Sequence, residues 1–324
     1  MDLRYVIVTN CNANCYFCLN EYIGSKSSVA TLSPQNYGDL SSVARELGVE
    51  ECTITGGEPT LRRDLGDIVS KVRSSSLKPT VVSNGYLLKD HAVAWGLVEK
   101  LHVSFHSFDE VEWERITKVK NGPQIVQDNL VAIRGLYPNL TIRLNVVTSK
   151  ENSSRESLNK YLGLARRIGI NISVFQNGYL RLLKEIGRLE EKYEEHNDFW
   201  ELDSTEGELI EETRRIRTFD FNGIKINLTY LSSEMHNGST FWVTPIGEGF
   251  ADIRKRSPLI DFNPSLSLRD FDRLRSSYLS LFKEAELLKE MELKGIEPLN
   301  HPEYIELVNE RNATLDTTKN KYFF

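Results

Sequence analysis

Three of the four cysteines in this chain, Cys11, Cys15 and Cys18, fall within the eight residues CNANCYFC, and the fourth, Cys52, lies apart in the apolar run ECTIT. Thiolates are soft ligands, and a CxxxCxxC triplet suits a cubane iron–sulfur cluster, which usually takes four cysteines. With three protein ligands, one iron keeps a coordination position for a group that is not protein. Structural zinc normally wants four ligands, often from two separated CxxC pairs, so a zinc site would need His91, His102 or His106 to complete it. A disulfide framework calls for a denser set of cysteines than four in 324 residues. Cys52, among β-branched neighbours, reads as a buried strand residue.

The rest of the composition narrows the class. At 324 residues the chain is long enough for one large α/β domain or for a domain with an extension. Hydrophobic residues at 40% and charged residues at 27% describe a soluble globular protein, and no apolar run reaches the length of a membrane span. Forty Lys and Arg against 46 Asp and Glu give a net charge of −6, which argues against nucleic acid as a partner. Unpaired cysteines with no targeting segment ahead of them point to a reducing cytoplasm.

The elements that must position the cysteines alternate regularly. LRYVIVT (3–9) reads as a buried strand running into the cysteine loop. Leu40, Val43, Ala44 and Leu47 recur at helical spacing before Gly48; ECTITGG (51–57) is a strand and glycine turn; Leu65, Ile68, Val69 and Val72 mark the next helix. The pattern continues with strand PTVVSNG (79–85), helix 87–98, strand LHVSFHS (101–107) and a helical stretch through Val126, Leu130 and Ile133. Then come strand LTIRLNVVT (140–148), a helix on Leu158, Tyr161, Leu162 and Ala165, and strand INISVFQ (170–176). Six strand–helix alternations predict a parallel sheet with crossover helices, too few for a closed eight-stranded barrel. The expected fold is α/β: a partial (β/α)6 TIM-like barrel over residues 1–176, with a helical and short-strand C-terminal extension over 177–324. In that extension, acid-rich 181–217 reads as a helical insertion, GIKINLTY (223–230) and TFWVTP (240–245) as short strands, and 266–292 as a long helix. The distinctive polar motifs CNANCYFC, GGEP, SNG and HS all fall after strands, at the end of such a sheet where chemistry sits.

The triplet after an apolar strand, with Tyr16 and Phe17 before its last cysteine, is the pattern of the radical S-adenosylmethionine (radical SAM) superfamily, and the chain resembles that family from residue 2 to about 176. The nearest likeness is to the molybdenum-cofactor GTP cyclase branch, with some to viperin. It lies in LRYVIVTNCNANC, including Arg4 seven residues before the first cysteine, in GGEPTLRRDL, in SNG (83–85), in VSFHSFDE and in RLNVV. The resemblance implies one [4Fe–4S] cluster on Cys11, Cys15 and Cys18, with S-adenosylmethionine on the open iron. It also implies cofactor contacts from Gly56, Gly57 and Glu58 of GGEP, from Ser83 and Asn84, from Ser104 and Asn145, and from Arg4, with Phe17 against the cluster. It departs in one respect: the cyclase carries a second cysteine cluster in its C-terminal part, and this chain has no cysteine after Cys52.

The expected activity is reductive cleavage of S-adenosylmethionine and hydrogen abstraction from a small molecule, such as a nucleotide, a sugar or a natural-product intermediate. A ribosomal peptide is the runner-up, with the acid-rich segment as a docking surface. An electron donor such as a flavodoxin or ferredoxin is implied. Arg143 and His106 are the candidates for substrate contact: Arg143 alternates with apolar neighbours and so faces away from the core, into the barrel or onto a nearby acid. A different class, a non-enzymatic iron–sulfur sensor or zinc-binding module, stays open on the residues alone.

Overall fold

A computed structural model describes residues 2–18, 31–46, 48–150, 152–175, 200, 207–213, 216–229, 240–243, 248–250, 260–261, 287, 290, 291, 294 and 301–306. The alternation predicted from the sequence is present. Strands β1 (Asp2–Val6), β2 (Glu51–Thr55), β3 (Lys78–Ser83), β4 (Lys100–Ser104), β5 (Thr141–Val147) and β6 (Asn171–Phe175) run parallel. Between them lie α1 (Pro34–Glu46), α2 (Leu65–Ser74), α3 (Ala92–Trp95), α4 (Glu110–Thr117), α5 (Gly122–Leu136) and α6 (Arg155–Ile168). The helix expected over 87–98 is instead a 3₁₀ turn, Leu88–His91, followed by the single turn of α3. Gly96 follows it directly, and a glycine is a poor helix former.

Local chemistry explains these elements. Ser154 Oγ caps α6 by accepting the Ser157 amide at 3.2 Å, and Gly169, at φ +63°, takes the left-handed position that ends the helix. Between those ends Leu158, Tyr161, Leu162 and Ala165 bury one stripe against the sheet. Burying each such leucine stabilises by about 1.5–3 kcal/mol. Asp109 caps α4 in the same way through the Glu112 amide at 2.8 Å.

The second half of the chain continues the same sheet. The two short strands expected there are β9 (Lys225–Thr229), parallel to β6, and β10 (Thr240–Val243), parallel to β1. Adding β7 (Glu208–Glu212), β8 (Ile216–Asp220), β11 (Glu248–Phe250) and β12 (Ile260–Asp261), the order is β12-β11-β10-β1-β2-β3-β4-β5-β6-β9-β8-β7. Eight parallel neighbours are flanked by an antiparallel hairpin at each end, and the order is linear: an open, partial barrel.

One expectation is corrected here. Residues 208–213, 216 and 217, assigned to an acid-rich helix, lie in the β7–β8 hairpin. Pairing of β7 with β8 and of β8 with β9 decides their conformation, and the second pairing buries Phe219 beside Ile226 and Leu228. The remainder of the expected 181–217 helix falls outside the described residues. So does the long helix over 266–292, apart from residues 287, 290 and 291, which are helical. Among the described residues no helix is long and apolar enough to cross a membrane.

The two faces of the sheet differ. Leu3, Tyr5, Cys52, Ile54, Val81, Leu101, Val103, Ile142, Leu144, Ile172 and Val174 are all buried within the core beneath the helices. Strand alternation puts Arg4, Thr53, Thr80, His102, Ser104, Arg143, Asn145 and Ser173 on the opposite, concave face. A closed barrel fills that interior with branched apolar residues; here most positions are polar, with Val6, Val82, Val147 and Phe175 among them.

Candidate functional site

The cysteine loop leaves β1 and is held from two sides. On one side, the last turn of α4 has carbonyls with no partner inside the helix. The Ile116 and Thr117 oxygens accept the amides of Tyr16 at 3.2 Å and Asn14 at 2.8 Å. On the other side, GGEP zips onto the loop: Gly57 donates to the Val8 oxygen at 2.7 Å and Glu58 to the Asn10 oxygen at 2.9 Å. A Cβ on Gly57 would sit 2.0 Å from the Asn10 oxygen, and Gly56 has φ +146°, so both positions require glycine. The close approach these glycines make is to the backbone of the cysteine loop.

Glu58 is 1% exposed and links three segments. Its Oε1 accepts from the Thr60 amide at 3.0 Å, the Thr60 hydroxyl at 2.7 Å and the Ser83 hydroxyl at 2.8 Å. Its Oε2 accepts the Asn84 amide at 2.6 Å. Burial raises its pKa, and these four donors pull against that rise. The Asn84 side chain in turn donates to Asn12 Oδ1 at 2.6 Å and lies 3.7 Å from Cys11 Sγ.

All four cysteines are free thiols. Cys52 is buried in the core, as expected of a strand residue, while Cys11 and Cys18 are exposed. Burial raises the pKa of the Cys11 thiol, and the Ala13 amide, 3.4 Å from its sulfur, opposes the rise. Burial pushes Cys15 well above the ordinary thiol range, and the neighbouring Cys18 and Cys11 raise it further. Three thiols that repel one another on ionising fit a cationic metal centre, which holds them as thiolates. Among the described residues no three Cys, His, Asp or Glu side chains converge as they would around one metal ion. A cubane does not ask for that convergence, because each cysteine serves a different iron.

The histidines weighed as a fourth zinc ligand are engaged elsewhere. His91 Nε2 is 2.7 Å from the Thr60 oxygen, and His102 Nδ1 is 3.0 Å from Arg143 Nη2. His106 Nδ1 accepts the Val147 amide at 3.3 Å, which leaves its proton on Nε2. Its ring packs edge-on against Phe17, centroids 5.0 Å apart, so Phe17 joins the cysteine loop to the end of β4. Burial lowers the His106 pKa to about 4, making the ring a neutral hydrogen-bond donor near pH 7.

Deeper on the concave face lies a cationic set. Arg143 shares the register line of His102, and Arg4 lies close enough to lower the pKa of both. Burial first, then Arg143, Lys100 and Arg4, hold His102 down to about 3; burial, then Arg4, bring Arg143 to about 10. Arg143 Nε and Asn145 Oδ1 are both buried and have no hydrogen-bond partner among the described residues. Neither of the two orientations expected for Arg143 is complete: it faces inward, and its hydrogen-bond partner is His102 rather than an acid.

Cys11, Cys15, Cys18, Phe17, Gly56, Gly57, Glu58, Ser83, Asn84 and His106 therefore gather at the C-terminal ends of β1–β4, with Ser104 ending β4 beside them. Arg4, Arg143 and Asn145 lie further in. Sequence reasoning gave Arg62 no role. Its guanidinium makes paired bonds to Asp64 at 2.6 and 2.8 Å and donates to the oxygens of Ile7 and Leu32, both at 3.1 Å, fixing the approach to the cysteine loop. It also missed Thr60, although a threonine two residues after a buried glutamate is a readable capping signal.

Residues 5–162 match the family model of the Radical SAM superfamily. A probable GTP 3',8-cyclase from Saccharolobus solfataricus is 31% identical over 206 residues, which cover 62% of this chain and 63% of that relative's length. Among solved structures, Streptococcus suis SuiB bound to S-adenosylmethionine aligns with TM-score 0.57 at 15% identity, over 85% of this chain and 67% of that one. Native anSMEcpe with bound AdoMet aligns with TM-score 0.51 at 14% identity, over 83% of this chain and 79% of that one. At those identities the structural likeness speaks for the fold alone. The cysteine loop and the GGEP turn lie within the matched segment and the open parallel sheet agrees with it: residues 5–162 carry a radical SAM domain.

Proposed function

We propose that this protein is a radical S-adenosylmethionine enzyme that abstracts hydrogen from a small, anionic molecule, with a nucleotide or sugar phosphate as the favoured class. Cys11, Cys15 and Cys18 would hold a single [4Fe–4S] cluster. The bound groups would supply reductive cleavage of S-adenosylmethionine to methionine and a 5′-deoxyadenosyl radical, the electron coming from a flavodoxin- or ferredoxin-type donor. The chain's own part is placement. Glu58 fixes Asn84, and Asn84 fixes the Cys11 side of the loop. Ser83 is already committed to Glu58, which leaves Ser104 and Asn145 as the inward-facing groups for S-adenosylmethionine. His106 offers a neutral Nε2–H beside Phe17.

The observation that carries the substrate class is Arg143. A half-buried guanidinium whose partner among the described residues is a histidine and not an acid is an expensive arrangement, and a bound phosphate or carboxylate would complete it. The family likeness to a GTP cyclase supports a nucleotide. Cyclisation of GTP itself is not proposed, because no cysteine follows Cys52 to build a second cluster. The rival substrate, a basic peptide, draws support from β7, an exposed strand bearing Glu208, Glu211 and Glu212.

The test is anaerobic reconstitution with iron and sulfide, then reduction in the presence of S-adenosylmethionine. Formation of 5′-deoxyadenosine is the expected result. A tightly bound zinc with no such product would refute the reading in favour of a binding module.

A further inference from the structure

The turn that closes β3 aims a side-chain amide at the first cysteine. Asn84 sits in SNG, and its Oδ1 accepts the Tyr86 amide, two residues on, at 3.2 Å, which is an Asx turn. A backbone N–H can only donate, so the oxygen of the Asn84 side chain faces Tyr86 and its NH2 group faces the other way. On that other side lies the cysteine loop: Nδ2 donates to Asn12 Oδ1 at 2.6 Å and reaches Cys11 Sγ at 3.7 Å. An amide NH2 carries two protons, enough for both partners.

The platform beneath this donor is rigid. Gly85 has φ +86°, and a Cβ there would meet the side chains of Val103 and Val126 at 2.8 Å. The buried Asn129 donates from Nδ2 to the Gly85 and Tyr86 oxygens at 2.8 and 2.9 Å, and Glu58 Oε2 holds the Asn84 backbone amide. A donor fixed in this way keeps its direction while the charge on its acceptor changes. The Cys11 sulfur meets a second N–H, the Ala13 amide at 3.4 Å. To a neutral thiol such contacts are weak; to a metal-bound thiolate they are charge-assisted and strengthen as negative charge accumulates. An added electron places more negative charge on the sulfurs of an iron–sulfur cluster, so N–H donors favour the reduced form and raise the potential. Glu58 works the other way, since its carboxylate disfavours negative charge on the Cys11 sulfur.

We propose that Asn84 raises the reduction potential of the cluster by donating from Nδ2 to the Cys11 sulfur, an electrostatic role distinct from tethering the loop through Asn12. This rests on the reading of Cys11, Cys15 and Cys18 as the ligands of one [4Fe–4S] cluster. It deepens that reading by naming a side chain that governs how readily the cluster takes its electron. The Ala13 donor belongs to the backbone and survives any substitution there except proline, whereas the Asn84 donor depends on the residue type.

The full chain is reconstituted anaerobically with iron and sulfide, without S-adenosylmethionine, and titrated with dithionite while electron paramagnetic resonance reads the reduced cluster. Asn84→Asp keeps the size of the side chain and the acceptor for Tyr86, and replaces the NH2 with a second oxygen. Its one-electron reduction should become less favourable by about tenfold or more, a fall of about 59 mV or more. Asn84→Ser keeps an acceptor for Tyr86 and adds no charge, and its reduction should become less favourable by about threefold. Asn12→Ala removes the tether and leaves the donor, so its equilibrium should stay within about twofold of the wild type. Circular dichroism and iron content show which variants are folded and loaded, and if Asn84→Asp takes up no cluster, Asn84→Ser decides. A wild-type potential in the Asn84 variants, or an equal fall in Asn12→Ala, overturns the assignment; the second result would make Asn84 a tether only. A cluster signal with an unmoved potential sinks this inference alone, and no [4Fe–4S] signal from the wild-type chain sinks the cluster reading beneath it.

Discussion

Asn84 donates its backbone amide to Glu58 Oε2 at 2.6 Å while its side chain lies 3.7 Å from Cys11 Sγ. The end of β3, the turn after β2 and the first cysteine are thereby one hydrogen-bonded unit. The glutamate of GGEP acts on the cysteine loop through that asparagine as well as through its own amide, which bonds to the Asn10 oxygen.

Glu58→Ala should therefore destabilise the fold as well as weaken S-adenosylmethionine binding. It strands the Thr60 amide and hydroxyl, the Ser83 hydroxyl and the Asn84 amide, all close to or inside the buried core. Loss of a shared buried acceptor costs about 1–3 kcal/mol. Urea denaturation of the variant should show a lower midpoint, and equilibrium dialysis a weaker affinity for S-adenosylmethionine. Wild-type values in both would reject the role given to this carboxylate.

Gly57→Ala should damage the cysteine loop without touching a cysteine. The added Cβ meets backbone, the Asn10 oxygen at 2.0 Å, which cannot rotate away as a side chain would. Overpacking of this kind costs about 1–3 kcal/mol. The expected outcome is reduced iron retention after reconstitution, measured by a colorimetric iron assay beside the wild type.

The four cysteines should separate cleanly. Alanine at Cys11, Cys15 or Cys18 should abolish the cluster's visible absorbance and the cleavage of S-adenosylmethionine. Cys52→Ala should retain both, because Cys52 is packed in the core beneath the helices. Its removal should cost about 1 kcal/mol of stability, in the range for a small core truncation. Loss of iron in the Cys52 variant would overturn the assignment of three ligands.

Two histidines, His106 buried and His102 half-buried, predict a particular acid sensitivity. Their ordinary pKa is 6.5, and the fold holds His102 at about 3 and His106 at about 4. Between those values and 6.5 the unfolded chain binds protons that the folded chain refuses. Stability is thus fully present above about pH 6.5 and falls as pH drops toward 4. Urea midpoints at pH 7 and pH 5 should differ in that direction, and His106→Gln should flatten the difference. A midpoint that rises on acidification would contradict the burial of these rings.

Arg143→Met should divide stability from binding. Without its substrate, Arg143 is a desolvated charge with no acid paired to it among the described residues, so a shape-matched apolar side chain should leave the midpoint unchanged or raise it. Binding of a phosphate-bearing ligand should fall by about tenfold or more, since a charge-assisted pair is lost. A variant that unfolds readily would show that Arg143 serves the fold and not a ligand.

Much of the fold was legible because its signals are local. The six apolar runs and the helical stripes between them needed no partner to be recognised, and GGEP and SNG fell at strand ends, where the structure places Glu58 and Asn84 in contact. Residues 208–213, 216 and 217 misled because an acid-rich stretch was read as a solvated helix without β8 and β9, whose pairing decides its conformation. Arg62 was passed over for a similar reason: its acceptors include the Ile7 and Leu32 oxygens, 55 and 30 positions away.

The sequence by itself determined where the metal chemistry would lie, because three thiols within eight residues are near one another in any compact conformation of that loop. It also determined the parallel sheet, since six alternating units leave few other ways to bury their apolar faces. Only the tertiary structure decided what the rest of the concave face presents. His102 meets Arg143 across 41 positions, and Ser104, Asn145 and Ser173 share that face only through strand register, in which a shift of one residue would turn a whole strand to the other face.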